Sequence, residues 1–155
     1  MTNIINSVMV AKVLPFIKVV YSKLDILSPL GVLGLRLWVA WVFFRSGLLK
    51  VNSWDSTMYL FENEYDVPIF SPDVAAVMGT SAELVLPILL AFGLAGRFGA
   101  IALFLFNIMA VISYPDLNAA GLRDHQVWGL MLLIPLLQGP GKISVDYLLS
   151  KKFNL

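Results

Sequence analysis

Apolar residues in this chain gather into four long stretches that short polar segments separate. A helix needs about 20 mostly apolar residues to cross the hydrocarbon core of a bilayer, and the four stretches are of about that length. We place the spans at about residues 30–49, 71–94, 98–114 and 124–138. The pattern therefore predicts an all-α membrane protein, with four transmembrane helices packed as a bundle.

Turn-forming residues mark where these helices begin and end. A serine followed by proline resembles a helix start, because serine caps the helix and proline fits its first position. Glycine and proline disfavour helix continuation and so resemble helix ends. The predicted starts are Ser28-Pro29 and Ser71-Pro72-Asp73, and the predicted ends are Gly96, Pro115 and Gly139-Pro140-Gly141.

Two segments outside the spans are amphipathic. Residues 4–24 are too charged to cross a bilayer and too apolar to stay in water, which is typical of a segment lying at the membrane surface. Between the first two spans, Trp54, Met58, Phe61 and Tyr65 recur at helical spacing. This short helix either rests among the lipid headgroups or covers the end of the bundle.

The same pattern divides the chain into three parts. Residues 1–29 are the N-terminal interfacial segment, residues 30–149 the four-helix membrane domain, and residues 150–155 a short basic tail.

Composition excludes several classes of protein. Hydrophobic residues make up 59% of the chain and charged residues only 14%, more apolar than a soluble domain. With no cysteine, the chain forms no disulfide, thiolate metal site or iron–sulfur cluster, and His125 is its one histidine, which excludes a bis-histidine haem site within one chain. We expect no built-in cofactor, a lipid bilayer as partner, and no nucleic-acid partner.

Basic residues indicate the orientation. If four spans are counted, one side of the membrane receives most of the lysines and arginines that flank the spans, whereas the other side receives mostly acidic loops. The positive-inside rule then places both termini in the cytoplasm. The basic residues on that side are Lys12, Lys18, Lys23, Arg97, Lys142, Lys151 and Lys152.

Charges inside the spans predict a buried polar site. An ionised side chain at the centre of a bilayer costs about 3 kcal/mol on insertion scales, so Glu83, the deepest, needs a basic partner or a wet cavity. Helical side chains lean toward the helix N-terminus, which favours Arg45 as that partner, with Arg36 or Lys50 as substitutes. The charges either line a functional cavity or only lock two helices together.

Two further polar residues are candidates for the site. Asn107 lies midway along the third span, where an amide most often makes an interhelical hydrogen bond. His125 lies at the outer end of the fourth span, on the side of the acidic loops. One histidine without a recognisable ligand spacing does not predict a metal site.

Several motifs together resemble the DoxX family of small bacterial four-span membrane proteins over residues 30–149. Each motif is weak alone, and the combination is specific. The motifs are Leu35-Arg36-Leu37, Ser46-Gly47-Leu48-Leu49-Lys50, Ala82-Glu83-Leu84 with Pro87, Gly93-Leu94 and Arg97, and Gly139-Pro140-Gly141-Lys142-Ile143-Ser144-Val145-Asp146.

The resemblance implies a location in the bacterial inner membrane and a link to redox chemistry. It suggests a subunit that binds a quinone, a lipid or a similar amphiphile and serves an oxidoreductase complex, with Arg36, Arg45, Lys50, Glu83 and His125 as candidate contacts. The alternative is a non-catalytic anchor, or a component that handles a metal or small solute. A redox or metal-handling protein partner and homo-oligomerisation both stay open, and so does catalysis.

Overall fold

The computed structural model describes the backbone of residues 2–154 and the side chains of residues 13–154. This part of the chain folds into α-helices and contains no strand, which confirms the all-α class. The helices are α1 (Thr2–Asn52), α2 (Trp54–Asn63), α3 (Pro72–Phe92), α4 (Gly96–Ile112), α5 (Ala119–Gln138) and α6 (Val145–Phe153).

Four of these helices surround a common core. α1 packs against α3 and α5, α4 packs against the same two helices, and α2 covers α3 and the end of α1. Aromatic rings pack edge to face between the helices. The ring centroid of Phe43 lies 6.2 Å from that of Phe106 and 5.6 Å from that of Trp128. The fully buried core residues are Val39, Ala40, Phe43, Leu90, Ala100, Leu103 and Leu132.

Much of the outer surface of the bundle is apolar, whereas two charged side chains are buried inside it. Large apolar side chains face outward, among them Trp38, Phe98 and Leu130, each more than half exposed. The charged side chains of Arg36 and Glu83 are instead 1% and 7% exposed. An outer surface of this kind is suited to contact with lipid tails, because exposing so large an apolar area to water would cost free energy.

Among the residues that the structure describes, two helices are long and apolar enough to cross a membrane, and a third is apolar but shorter. The two are Val13–Asn52 of α1 and Pro72–Phe92, and the shorter one is Gly96–Ile112. A helix of 40 residues is about 60 Å long, twice the hydrocarbon thickness, so only part of α1 fits within a bilayer.

The predicted helix start at Ser28-Pro29 is wrong, because α1 continues through it without a break. Residues 16–28 contain neither glycine nor another proline, so Pro29 removes one backbone hydrogen bond without ending the helix. The side chains of residues 13–28 are exposed, whereas those of residues 4–12, the first part of the predicted amphipathic segment, lie outside the described residues.

Helix boundaries elsewhere differ from the predictions by a few residues. α3 begins at Pro72 as predicted, but it ends at Gly93, whose left-handed conformation (φ 62°) suits glycine, and Gly96 opens α4. α5 begins before the predicted start, because the side chain of Asn118 caps it by accepting a hydrogen bond from the Gly121 amide. Its end before Gly139 is confirmed.

Candidate functional site

A cavity of about 360 Å³ lies at the end of the bundle where α1 and α4 finish and where α3 and α5 begin. Helices α1, α3, α4 and α5 form its walls, and α2 with the following loop covers it. Aromatic side chains make up much of the lining, namely Phe43, Phe61, Tyr65, Phe70, Phe106, Tyr114 and Trp128. The space is large enough for a small organic molecule.

An ion pair lies in the wall of this cavity. Lys50 Nζ donates to both carboxylate oxygens of Glu83, at 2.8 and 2.7 Å, and to Ser46 Oγ at 3.0 Å. Ser46 Oγ in turn donates to Glu83 Oε1 at 3.1 Å. The side chains of Lys50 and Glu83 are only 13% and 9% exposed. The prediction that a basic residue of the first span pairs with Glu83 is therefore confirmed.

The prediction that Arg45 is the preferred partner of Glu83 is wrong, because the Arg45 side chain is exposed on the outside of α1. Residues 36, 39, 40, 43 and 47 are buried and define the inner face of the helix. Arg45 lies two positions after Phe43, or about 200° around the helix axis, and so points away from α3. Lys50 lies nearer the inner face, and its long side chain leans back toward Glu83.

His125 also lines the cavity, and Asn107 holds its ring. The Asn107 amide donates to the His125 backbone carbonyl at 2.9 Å, and its Oδ1 lies 2.8 Å from His125 Nδ1. Since the carbonyl only accepts, the amide orientation is determined, and Nδ1 must carry the proton that Oδ1 accepts. The predicted interhelical role of Asn107 is confirmed.

Arg36 lies at the opposite end of the bundle and does not line the cavity. Its Nη2 donates to the Ile143 carbonyl at 2.5 Å. Nearby, the Asp146 carboxylate accepts the amides of Ala95 and Gly96 at 2.8 and 2.7 Å and so caps α4. The segment 139–146 therefore connects α1, the α3–α4 turn and α6, which gives its motif a structural role.

Four cavity residues with hydroxyl groups were not among the predicted site residues, namely Ser46, Tyr65, Ser113 and Tyr114. Ser46 could have been found from its position four residues before Lys50, on the same helix face. Ser113 is 5% exposed, and its Oγ has no hydrogen-bond partner among the described residues. Burial and the nearby negative charge of Glu83 raise the pKa of Tyr65, so its phenol keeps its proton at neutral pH.

The aromatic stripe of α2 covers the cavity. Phe61 is buried against Ala75 and Ala76 of α3. Its ring packs edge to face against that of Tyr65, with 4.8 Å between the ring centroids. Tyr65 then meets Tyr114 in the same way at 5.1 Å. The stripe thus packs on the bundle end.

Metal-ligating residues do not cluster in this region. Among the described side chains, no group of three or more histidine, aspartate or glutamate residues is placed to hold a metal ion. The polar groups of the cavity are instead suited to hydrogen bonding.

Outward-facing apolar helices around an apolar cavity, with a buried ion pair in its wall, define a helical membrane protein. The DoxX family model matches residues 31–115, and the chain belongs to the DoxX family. An uncharacterized protein of Haemophilus influenzae is 30% identical over 138 residues, which cover 81% of this chain and 87% of the relative. No solved structure matches the chain.

Proposed function

We propose that this protein binds a small amphiphile, such as a quinone, in the cavity at the end of its bundle. The observation that carries the proposal is the combination of an apolar, aromatic space of about 360 Å³ with the ionisable residues Lys50, Glu83 and His125 in its wall. Ligand sites are commonly of this kind, mostly apolar with a few convergent polar groups.

In this proposal α1, α3, α4 and α5 all cross the bacterial inner membrane, and both termini are cytoplasmic. The 21, 17 and 20 residues of α3, α4 and α5 correspond to about 25 to 32 Å of helix, close to the hydrocarbon thickness. The cavity then opens near the outer side, and α2 lies over it.

The chain supplies no thiolate or haem ligand pair with which to exchange electrons by itself. A quinone bound in the cavity would therefore react with a redox partner protein, and this chain would serve as the membrane subunit of that complex. Glu83 and His125 would hold the polar end of the ligand, and Lys50 would fix the Glu83 carboxylate. The aromatic side chains would hold the ring of the ligand.

A second candidate is a non-catalytic membrane component. The hydrogen bonds of Lys50 favour this role, because all three of its ammonium protons already have acceptors in Glu83 and Ser46. In that case the charges lock α1 to α3 and bind no ligand.

Purification in mild detergent, followed by mass spectrometry of the extracted lipids, tests the proposal directly. We expect a quinone or another small amphiphile to co-purify with the wild type. It should be lost from Ala110→Phe, which fills the cavity without changing a charge, and retained by Arg45→Gln, which changes an exposed residue of α1 outside the cavity.

Added short-chain quinone, supplied both in its oxidised form and in its quinol form, provides a second measurement. A ligand that binds only the folded state raises the unfolding temperature, so the increase should appear in wild type and Arg45→Gln but not in Ala110→Phe. Equal increases in all three proteins, or none, would contradict binding in this cavity and favour the structural role.

A further inference from the structure

We propose that the ligand of the cavity carries a hydroxyl group, as a phenol or quinol does, and that this hydroxyl donates to Nε2 of His125. The inference rests on the proposed function and specifies the class of ligand. It follows from which hydrogen-bonding groups of the cavity wall are already occupied and which are still available.

The imidazole of His125 is already hydrogen-bonded through Nδ1. Asn107 Oδ1 accepts the Nδ1 proton, because the amide nitrogen of Asn107 is turned toward the His125 backbone carbonyl. In the neutral ring the second nitrogen is then an acceptor. The ring lines the cavity, and Nε2 is its one polar atom without a partner among the described residues.

The charged pair of Lys50 and Glu83 is hydrogen-bonded within the cavity wall. Each Lys50 proton already has an acceptor in Glu83 or Ser46, and the Ser46 hydroxyl donates to Glu83. The strong donors of this wall are thus occupied within the wall itself. The Glu83 carboxylate, by contrast, keeps lone pairs that can accept a further bond.

Hydroxyl groups also line the cavity. Ser113 Oγ is buried without a partner, and Tyr65 also lines the cavity. A hydroxyl rotates to donate or accept, so these two groups suit either kind of ligand. Only the acceptors have a fixed role, and a ligand without a donor leaves His125 Nε2 buried and unpaired, which lowers affinity.

A pair of redox-inert probes tests this preference. 4-Pentylphenol and 4-pentylanisole differ by one methyl group on the oxygen, and that methyl removes the donor while the aromatic body stays the same. We expect the phenol to bind on the order of tenfold more tightly to the wild type in detergent, followed by quenching of tryptophan fluorescence, since Trp128 lines the cavity.

Variants separate this preference from the unequal partitioning of the two probes into detergent. His125→Phe keeps an aromatic ring but removes the acceptor, so the ratio of the two affinities should fall about tenfold relative to the wild type. Asn107→Leu releases the imidazole from one tautomer and should reduce the ratio as well. Gln126→Leu, an exposed neighbour on α5 outside the cavity, should keep the wild-type ratio.

The outcomes distinguish the two proposals. If neither probe binds the wild type, the amphiphile-binding function itself is wrong. If both probes bind with equal affinity, the cavity exists as a binding site and the hydroxyl preference is wrong. A preference that persists unchanged in His125→Phe also overturns the inference. Should that variant fail to fold, the ratio in Asn107→Leu against Gln126→Leu still tests it.

Discussion

Lys50 and Glu83 depend on each other at the scale of single residues. Both side chains are nearly buried, and each satisfies the charge of the other. Removing one partner from a buried pair leaves an uncompensated charge, whereas replacing both by apolar side chains of similar size is often neutral. The pair therefore allows a double-substitution test.

We expect Lys50→Met to lower the free energy of unfolding by about 3 kcal/mol, because Glu83 is left alone in an apolar wall. The double variant Lys50→Met with Glu83→Met should recover most of this loss. Thermal unfolding in detergent measures both. Losses that simply add in the double variant would contradict the pairing.

Asp146 offers a second test at this scale. Its carboxylate accepts two backbone amides at the start of α4, so Asp146→Ala should destabilise the protein by about 1 to 2 kcal/mol. Asp73 also lies in the first turn of a helix but is exposed and caps no amide by a hydrogen bond. Asp73→Ala is the matched control, and an equal loss in both variants would contradict the capping role.

At the scale of helices, Gly47 lets α1 and α3 approach closely. A Cβ atom at this position would lie 3.0 Å from Glu83 Cβ and from two side-chain atoms of Leu84. Small residues commonly serve this purpose where membrane helices meet. The ion pair and the cavity beside it both depend on this spacing.

Gly47→Ala should therefore destabilise the protein by about 1 to 3 kcal/mol, as overpacking does in a close-packed interface. Gly34 lies on the same helix with nothing within 4 Å of the position of a Cβ atom. Gly34→Ala should be neutral or stabilise by up to about 1 kcal/mol through helix propensity. Unfolding midpoints of the two variants, measured side by side, check the prediction, and a stable Gly47→Ala would refute it.

At the scale of the whole molecule, the proposal that four helices cross the membrane predicts on which side of the membrane the two chain termini and α2 lie. The native chain has no cysteine, so single cysteines at Asn3, Asn63 and Asn154 report on one position each. In intact cells, a membrane-impermeant thiol reagent should label Asn63→Cys, and it should label Asn3→Cys and Asn154→Cys only after lysis. Labelling of Asn63→Cys only after lysis would overturn the orientation.

Local pattern in the sequence was sufficient to predict α2 to α5 and the need for a partner at Glu83, but it did not predict α6. Long apolar stretches form helices wherever backbone groups must satisfy one another, and an ionised group inside such a stretch needs a counter-charge. The start of α3 and the end of α5 follow from serine, proline and glycine. The predicted helix start at Ser28-Pro29 is wrong, because a single proline does not interrupt a helix when the residues on both sides of it are helical.

Only the tertiary structure determined which cation meets Glu83 and which groups share the cavity. Depth along a span is readable from the sequence, but the face that a side chain presents to a neighbouring helix depends on how the helices are rotated and packed. Lys50 therefore replaced Arg45, and Arg36 was placed with Ile143 at the far end. The contact between His125 and Asn107 joins two helices whose relative rotation no local pattern encodes.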